Sequence, residues 1–140
     1  MNTKTLLAGL VGGVIAFFLG WLIYDFLLKS MMEGHCNADM MKKEEEMIMW
    51  SMIVGNLAWG FTMALVLSWA NSKTFMDGLT KGAIFGVVLG VAYDFGLYGM
   101  ANWYNDMTGV ILDIIAGTIM SCVIGGVVGW MYGRGNAEAA

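Results

Sequence analysis

Polar side chains inside otherwise apolar segments are the residues of this sequence that could do chemistry. Tyr24-Asp25-Phe26 recurs as Tyr93-Asp94-Phe95, and Asn56-x-x-x-Gly60 recurs as Asp113-x-x-x-Gly117. A carboxyl group at membrane depth is costly and often marks a proton or ion pathway. Burial and mutual repulsion disfavour ionisation, so three carboxyl groups in one layer would share protons or hold a cation. The predicted ligand- or proton-binding residues are Asp94, Asp113, Asn56, Asp25, Tyr93 and Tyr24.

Four long apolar segments must position these side chains. They are Thr5–Leu28, Met47–Ala70, Gly78–Met100 and Met107–Tyr132. Each exceeds the roughly 20 residues that an α-helix needs to cross the hydrocarbon core, and open strands would leave backbone groups unpaired in lipid. The sequence therefore predicts an all-α fold, a four-helix transmembrane bundle in one membrane domain over residues 1–140. The outer loop spans 29–46, and the first segment is expected to be a retained helix rather than a cleaved signal.

The order of the motifs indicates two helical hairpins of one design. The first and third helices run in the same direction, so the repeat is a parallel one. Small residues four apart let helices approach closely, and the predicted helix-packing residues are Gly82, Gly86, Gly90, Gly117, Gly60 and Gly125. We expect the two hairpins to pack on these glycine faces. At a rise of 1.5 Å per residue, four polar side chains are expected within ~10 Å of one another in depth, in the outer half of the membrane. They are Asp25, Asn56, Asp94 and Asp113.

Composition excludes several classes of protein. Of the 140 residues, 59% are hydrophobic and 13% charged, and the net charge of −4 implies no attraction to nucleic acid. A soluble domain carries about 25% charged residues. The sequence has no Ser–His–Asp set, phosphate-binding loop or haem-attachment motif. We therefore expect neither an enzyme nor a bound cofactor.

The distribution of basic residues predicts which side the termini occupy. The terminal side carries Lys4, Lys73, Lys81 and Arg134, and the other side carries Lys29, Lys42 and Lys43. Basic residues favour the cytoplasm, so both termini are expected there. The loop Asn102–Asp106 has no basic residue, and its Trp103-Tyr104 pair suits the aromatic belt at the outer interface.

The outer loop is a second candidate site. Residues 31–41 gather methionines with His35, Cys36 and two carboxylates. Sulfur ligands suit Cu(I), and His with Cys suits zinc, although no recognised ligand spacing is present. The alternative is a solvated loop with methionines as apolar filler. Cys122 lies too deep in the last helix to pair with Cys36.

Several stretches of the chain resemble small four-helix bacterial membrane proteins grouped as domains of unknown function. In the second half they are Lys81-Gly82-Ala83-Ile84-Phe85-Gly86, Ala92-Tyr93-Asp94, Trp103, Ile111-Leu112-Asp113 and Gly117-Thr118. In the first half they are Gly20-Trp21-Leu22-Ile23-Tyr24 and Gly55-Asn56-Leu57-Ala58-Trp59-Gly60. The resemblance implies a multi-pass protein of the bacterial inner membrane and carries no activity. The Met/His/Cys loop departs from it.

Three functional hypotheses follow. The first is a transport- or channel-type protein whose intramembrane carboxylate layer handles protons or small cations, as a homo-oligomer in the lipid bilayer. The second is an accessory or structural subunit of a larger membrane complex, in which Asn56 and Asp113 join helices and Asp25 reaches the headgroups beside Lys29. The third is a metal-handling protein that uses the outer loop.

Overall fold

The computed structural model describes residues 3–40 and 42–137, which form a bundle of helices. Met1, Asn2, Met41 and residues 138–140 lie outside the described residues, and with Met41 so does one thioether of the predicted outer-loop site. The helices are α1 (Thr3–Gly20), α2 (Lys29–Met32), α3 (Met49–Trp69), α4 (Phe75–Met100) and α5 (Met107–Ala137). Helix α1 continues as a π-helical segment over Trp21–Leu27, and short 3-10 turns occupy Ala38–Met40 and Glu44–Glu46.

Four helical stretches are long and apolar enough to cross a membrane, which confirms the predicted four-helix bundle. They are Thr3–Leu27, Met49–Trp69, Phe75–Met100 and Met107–Arg134. Each presents large apolar side chains on the surface of the bundle; Leu7, Val54, Val88 and Ile115 are 54%, 56%, 60% and 50% exposed. Such a surface suits a hydrocarbon solvent, and the chain is a multi-pass membrane protein.

Helices α1 and α3 pack through glycine. A Cβ at Gly60 of α3 would lie 2.0 Å from the backbone nitrogen of Gly13 and 2.5 Å from the carbonyl oxygen of Gly9. No side chain fits between these backbones, and the helices therefore touch directly, as small residues allow in membranes.

Helices α4 and α5 form the second hairpin in the same way. A Cβ at Gly78 would lie 2.1 Å from the Gly125 carbonyl oxygen, and one at Gly82 would lie 2.2 Å from the Ser121 carbonyl oxygen. One at Gly86 would lie 2.9 Å from the Ser121 Cβ.

The glycine contacts thus lie inside each hairpin, between α1 and α3 and between α4 and α5. The expectation that the two hairpins pack on each other through these faces is wrong. Small residues let the two antiparallel helices of one hairpin approach closely, and the faces that carry these residues are occupied by that contact. The close contacts at Gly60, Gly78, Gly82 and Gly86 leave no room at these positions for a second copy of the chain.

Helix α5 joins the two hairpins, because it packs on α1 and α3 as well as on α4. Met63 and Leu67 of α3 and Ile124 and Val128 of α5 are at most 1% exposed and form the centre of the core. This core fills the half of the bundle near the α3–α4 connection. Elsewhere α3 and α4 touch only sparingly, which leaves room between them.

The α3–α4 connection is tight. Asn71 adopts a left-handed conformation with φ of 53°, which asparagine tolerates better than most residues. Thr74 then caps α4, its hydroxyl oxygen accepting from the backbone N–H of Asp77 at 3.1 Å. The opposite end of the bundle carries residues 28–48 and 101–106 and is called the loop end below.

Candidate functional site

A π-helical segment turns Tyr24 towards the bundle. The backbone N–H of Leu28 donates to the carbonyl of Ile23 at 2.7 Å, five residues back instead of four. A π turn holds more residues than an α turn, so the side chains in it point in different directions from those of a regular helix. Ile23 is buried here, Tyr24 is half-buried and Asp25 is exposed.

Helix α4 carries Asp94 inwards. Asp94 follows Gly86 and Gly90 at four-residue spacing, on the face that packs against α5, and it is only 5% exposed. Its neighbour Tyr93 is 68% exposed. The two Tyr-Asp-Phe segments are therefore placed differently: the first turns its tyrosine inwards, and the second turns its aspartate inwards.

Tyr104 connects the carboxyl groups of the two helices of the second hairpin. Its hydroxyl oxygen lies 3.1 Å from Asp94 Oδ1 and 2.5 Å from Asp113 Oδ2. The hydroxyl of Tyr24 donates to Asp113 Oδ1. These four residues are called the carboxyl–tyrosine cluster. Asp94 lies six residues before the end of α4 and Asp113 six residues after the start of α5, each ~9 Å along its helix.

The prediction that Tyr104 belongs to an interfacial aromatic belt is wrong. Tyr104 is 5% exposed, because its connection folds over the helix ends and its hydroxyl reaches two carboxyl groups. Burial, with the hydrogen bond to Asp113, raises the pKa of Tyr104, so the phenol keeps its proton. The sequence places Tyr104 in a short loop between two helices that each carry a carboxyl group, and this position could have identified it as a partner of those groups.

Backbone hydrogen bonds fasten the Tyr104 segment to the long loop. On one side of Tyr104, the N–H of Asn37 donates to the Trp103 carbonyl at 2.9 Å. On the other side, the N–H of Asn105 donates to the His35 carbonyl at 2.8 Å. The two loops are almost seventy residues apart in the chain, and the hydrogen bonds between them hold the Tyr104 hydroxyl at its position along the bundle axis.

The predicted metal ligands hold these loops together. Nδ1 of His35 lies 2.7 Å from Asp106 Oδ2, and the hydrogen bond from His35 lowers the pKa of Asp106. Burial raises the pKa of the Cys36 thiol, which disfavours the thiolate that binds metals. In the described part of the chain, no group of three or more His, Cys, Asp or Glu side chains is placed to hold a metal ion. Cys36 and Cys122 are both free.

A cavity of about 400 Å³ lies between α3 and α4 beside the cluster. Its lining residues are Tyr24, Asn56, Trp59, Gly86, Leu89, Gly90, Tyr93, Asp94, Asp113, Gly117 and Met120. Most of this surface is apolar or aromatic, and the carboxyl groups stand at the loop end. The ring of Trp59 contacts that of Phe85 with centroids 5.7 Å apart, so an aromatic pair links α3 and α4 beside the cavity.

Five of the six predicted ligand-binding residues line this cavity, and Asp25 does not. Asp25 is exposed on the surface of the bundle because of the π-helical segment. The side chain of Asn56 donates to the Met52 carbonyl at 2.8 Å, so part of its capacity is used within α3.

Gly117 is placed differently from the other predicted packing glycines. No atom of a neighbouring element lies within 4 Å of the position that a Cβ would take there, and Gly117 lines the cavity. The prediction that it packs two helices together is wrong. Gly90 makes a looser contact than the rest, since its Cβ would lie 3.3 Å from Ile114 Cγ1.

No basic side chain neutralises the cluster within the residues that the structure describes. The ion pairs among the described residues are Lys29–Glu44, His35–Asp106 and Lys81–Asp77, and none of them includes a residue of the cluster. Asp94 uses Oδ1 for its contact with Tyr104. Among the described side chains none donates to Asp94 Oδ2, although the residue is almost fully buried and lines the cavity.

Comparison of this chain with protein-family models, with curated proteins and with solved structures finds no match. The function is therefore inferred from the geometry of the cluster and the cavity.

Proposed function

We propose that this protein is a transport-type membrane protein that binds and moves protons or small cations at the carboxyl–tyrosine cluster. The observation that carries the proposal is the position of Tyr104, whose hydroxyl oxygen lies within hydrogen-bonding distance of Asp94 and Asp113. A phenol has one hydrogen to donate. When that hydrogen goes to the closer Asp113, a proton bound to Asp94 can be donated to the Tyr104 oxygen across the 3.1 Å contact. The arrangement therefore offers a place for one exchangeable proton at Asp94.

Electrostatics supports an exchangeable proton or cation at this position. Each charged carboxylate inside a membrane costs at least about 2.5–3.5 kcal/mol on insertion scales. Two carboxyl groups share the cluster without a basic partner among the described residues. A bound proton or cation lowers the cost for both, because it removes one charge and the repulsion between two.

The cavity favours transport over a purely structural role. Polar residues that only join helices lie in dry contacts. Here Asp94 and Asp113 line a space of about 400 Å³ instead. By the distribution of basic residues, we place the loop end on the outer side of the membrane, so that the cluster exchanges with that side.

The test measures dissipation of a pH difference across proteoliposomes that contain a trapped pH-sensitive dye. Potassium and sodium are present on both sides, and valinomycin clamps the potential, so both proton conduction and proton–cation exchange are detected. We expect the protein to dissipate the pH difference faster than empty vesicles do. Asp94→Asn and Asp113→Asn should return the rate to that of empty vesicles.

The matched control is Asp25→Asn, which makes the same change in the related Tyr-Asp-Phe segment at an exposed position. It should leave the rate unchanged. A folded Asp94→Asn variant with the full rate, or an equal loss in Asp25→Asn, would contradict the proposal. Helix content and elution as a single species establish that each variant is folded.

A further inference from the structure

We infer that the cavity binds a monovalent organic cation with an aromatic or apolar body, and that this cation displaces the proton of Asp94. The inference rests on the proposed function and specifies the cation. Three properties of the cavity carry it: its size, its lining and its unneutralised charge.

The size of the cavity exceeds what a proton or an inorganic ion needs. A volume of about 400 Å³ falls within the roughly 300–1,000 Å³ of sites that bind small organic molecules. Gly117 contributes to this space, since no neighbouring atom lies within 4 Å of the position of its absent Cβ. A bare ion at the carboxyl groups would leave most of the apolar volume empty.

The lining fits a cation that carries apolar surface. Tyr24, Trp59 and Tyr93 line the cavity together with Leu89 and Met120. Aromatic faces attract organic cations, quaternary ammonium groups among them, through the negative charge of the ring face. The apolar side chains favour burial of the body of the same molecule.

The charge at the loop end determines the sign of the ligand. Asp94 is 5% exposed and lines the cavity, and none of the described side chains donates to its Oδ2. An anion would meet two carboxyl groups there, and a neutral molecule could not compensate the charge that Asp94 acquires when it gives up its proton. A cation beside Oδ2 stabilises the ionised form of Asp94.

Binding is therefore an exchange. The cation occupies the cavity, the Asp94 carboxyl group gives its proton to water, and the resulting carboxylate pairs with the cation. Charge is conserved, because one positive charge arrives as one leaves. Tyr104 keeps its own hydrogen and continues to donate to Asp113.

The test is calorimetric titration of the full-length protein in detergent with phenyltrimethylammonium. This cation has no dissociable proton, so every proton released on binding comes from the protein. Titration in two buffers of different ionisation enthalpy counts the released protons. We expect binding with release of a proton, and weaker binding as the pH falls, because protons compete for Asp94.

Tetramethylammonium carries the same charge without the ring, and it should bind about tenfold more weakly or worse because the apolar part of the cavity stays unfilled. Asp94→Asn should weaken phenyltrimethylammonium about tenfold or more, the effect of one charged contact. Asp25→Asn should have no effect. The comparison of the two cations uses the unaltered protein, so it holds even where Asp94→Asn does not fold.

Four outcomes would overturn the inference. Equal affinity for tetramethylammonium would identify a site for small cations. Binding without proton release and without dependence on Asp94 would identify an apolar groove that lipid chains fill. Absence of binding, while the Asp94-dependent pH dissipation persists, would reject the organic cation and leave the proposed function standing. Absence of both the pH dissipation and the binding of phenyltrimethylammonium would reject the proposed function and the organic cation together.

Discussion

Two glycines of α5 should respond in opposite ways to the same substitution. Gly125 faces α4 closely, and a Cβ there would lie 2.4 Å from the carbonyl oxygen of Gly78. Gly117 faces the cavity, with nothing within 4 Å of its Cβ position. We therefore expect Gly125→Ala to destabilise the protein and Gly117→Ala to stabilise it.

The magnitudes follow from these distances. The Gly78 carbonyl oxygen, 2.4 Å from the new Cβ, must move away by about 1.0 Å to reach the 3.4 Å at which ordinary contacts begin. This movement separates α4 from α5, and a gap of ~0.5–1 Å removes a quarter to a half of the dispersion energy of the atoms along it. Overpacking of this kind costs about 1–3 kcal/mol. At Gly117 the added methyl meets no atom, and replacing a helical glycine by alanine contributes about 0.5–1 kcal/mol of stability. The two variants should differ by about 1.5–4 kcal/mol.

The assay is reversible unfolding in mixed micelles of dodecylmaltoside and increasing dodecyl sulfate, followed by circular dichroism and compared with the unaltered protein. The unfolding midpoint should fall for Gly125→Ala and rise slightly for Gly117→Ala. Equal stability of Gly125→Ala and the unaltered protein would refute the close contact between α4 and α5. A loss in Gly117→Ala as large as that in Gly125→Ala would refute the open space at Gly117.

Two further predictions concern the loop end. Tyr104→Phe should lower the unfolding free energy by about 1.5–3 kcal/mol, because hydrogen bonds to carboxyl groups at the cluster are lost. The control is Tyr98→Phe, which should change the unfolding free energy little because the Tyr98 hydroxyl bonds no described residue. Equal effects of the two substitutions would contradict the role of Tyr104. His35→Ala removes the hydrogen bond that lowers the pKa of Asp106, so this pKa should rise towards the ordinary value of about 3.9, as measured by ¹³C NMR of the carboxyl carbon. The stability that this hydrogen bond contributes is present above the ordinary pKa and is lost as the pH falls through the lowered pKa of folded Asp106. An unchanged titration of Asp106 in His35→Ala would show that His35 does not set its pKa.

Local sequence was sufficient to predict the spans. A segment that crosses lipid must satisfy its backbone internally over about 20 apolar residues, and such segments can be counted in a sequence. The observed ends agree with the predicted ones within three residues, except that α5 continues to Ala137. Polar residues at depth are equally visible, and five of the six that were named line the cavity.

Spacing along the chain did not predict which way every side chain points. The assumption of a regular helix placed Asp25 in the polar layer, but the π-helical segment over Trp21–Leu27 presents Tyr24 instead. No proline or glycine lies within that segment to announce it. The choice of partner for each glycine face likewise depends on how all the helices pack together, and a spacing rule contains no information about that.

The sequence by itself thus determined a four-helix membrane protein with carboxyl groups at one depth, because lipid imposes length and polarity on each segment separately. Only the tertiary structure decided that Tyr104 joins two of these carboxyl groups and that a cavity lies beside them. Tyr104 is held there by hydrogen bonds between Asn37 and Trp103 and between His35 and Asn105. The cavity exists because α5 binds both hairpins while α3 and α4 stay apart. Both features arise from contacts between distant parts of the chain, which depend on the packing of all four helices together.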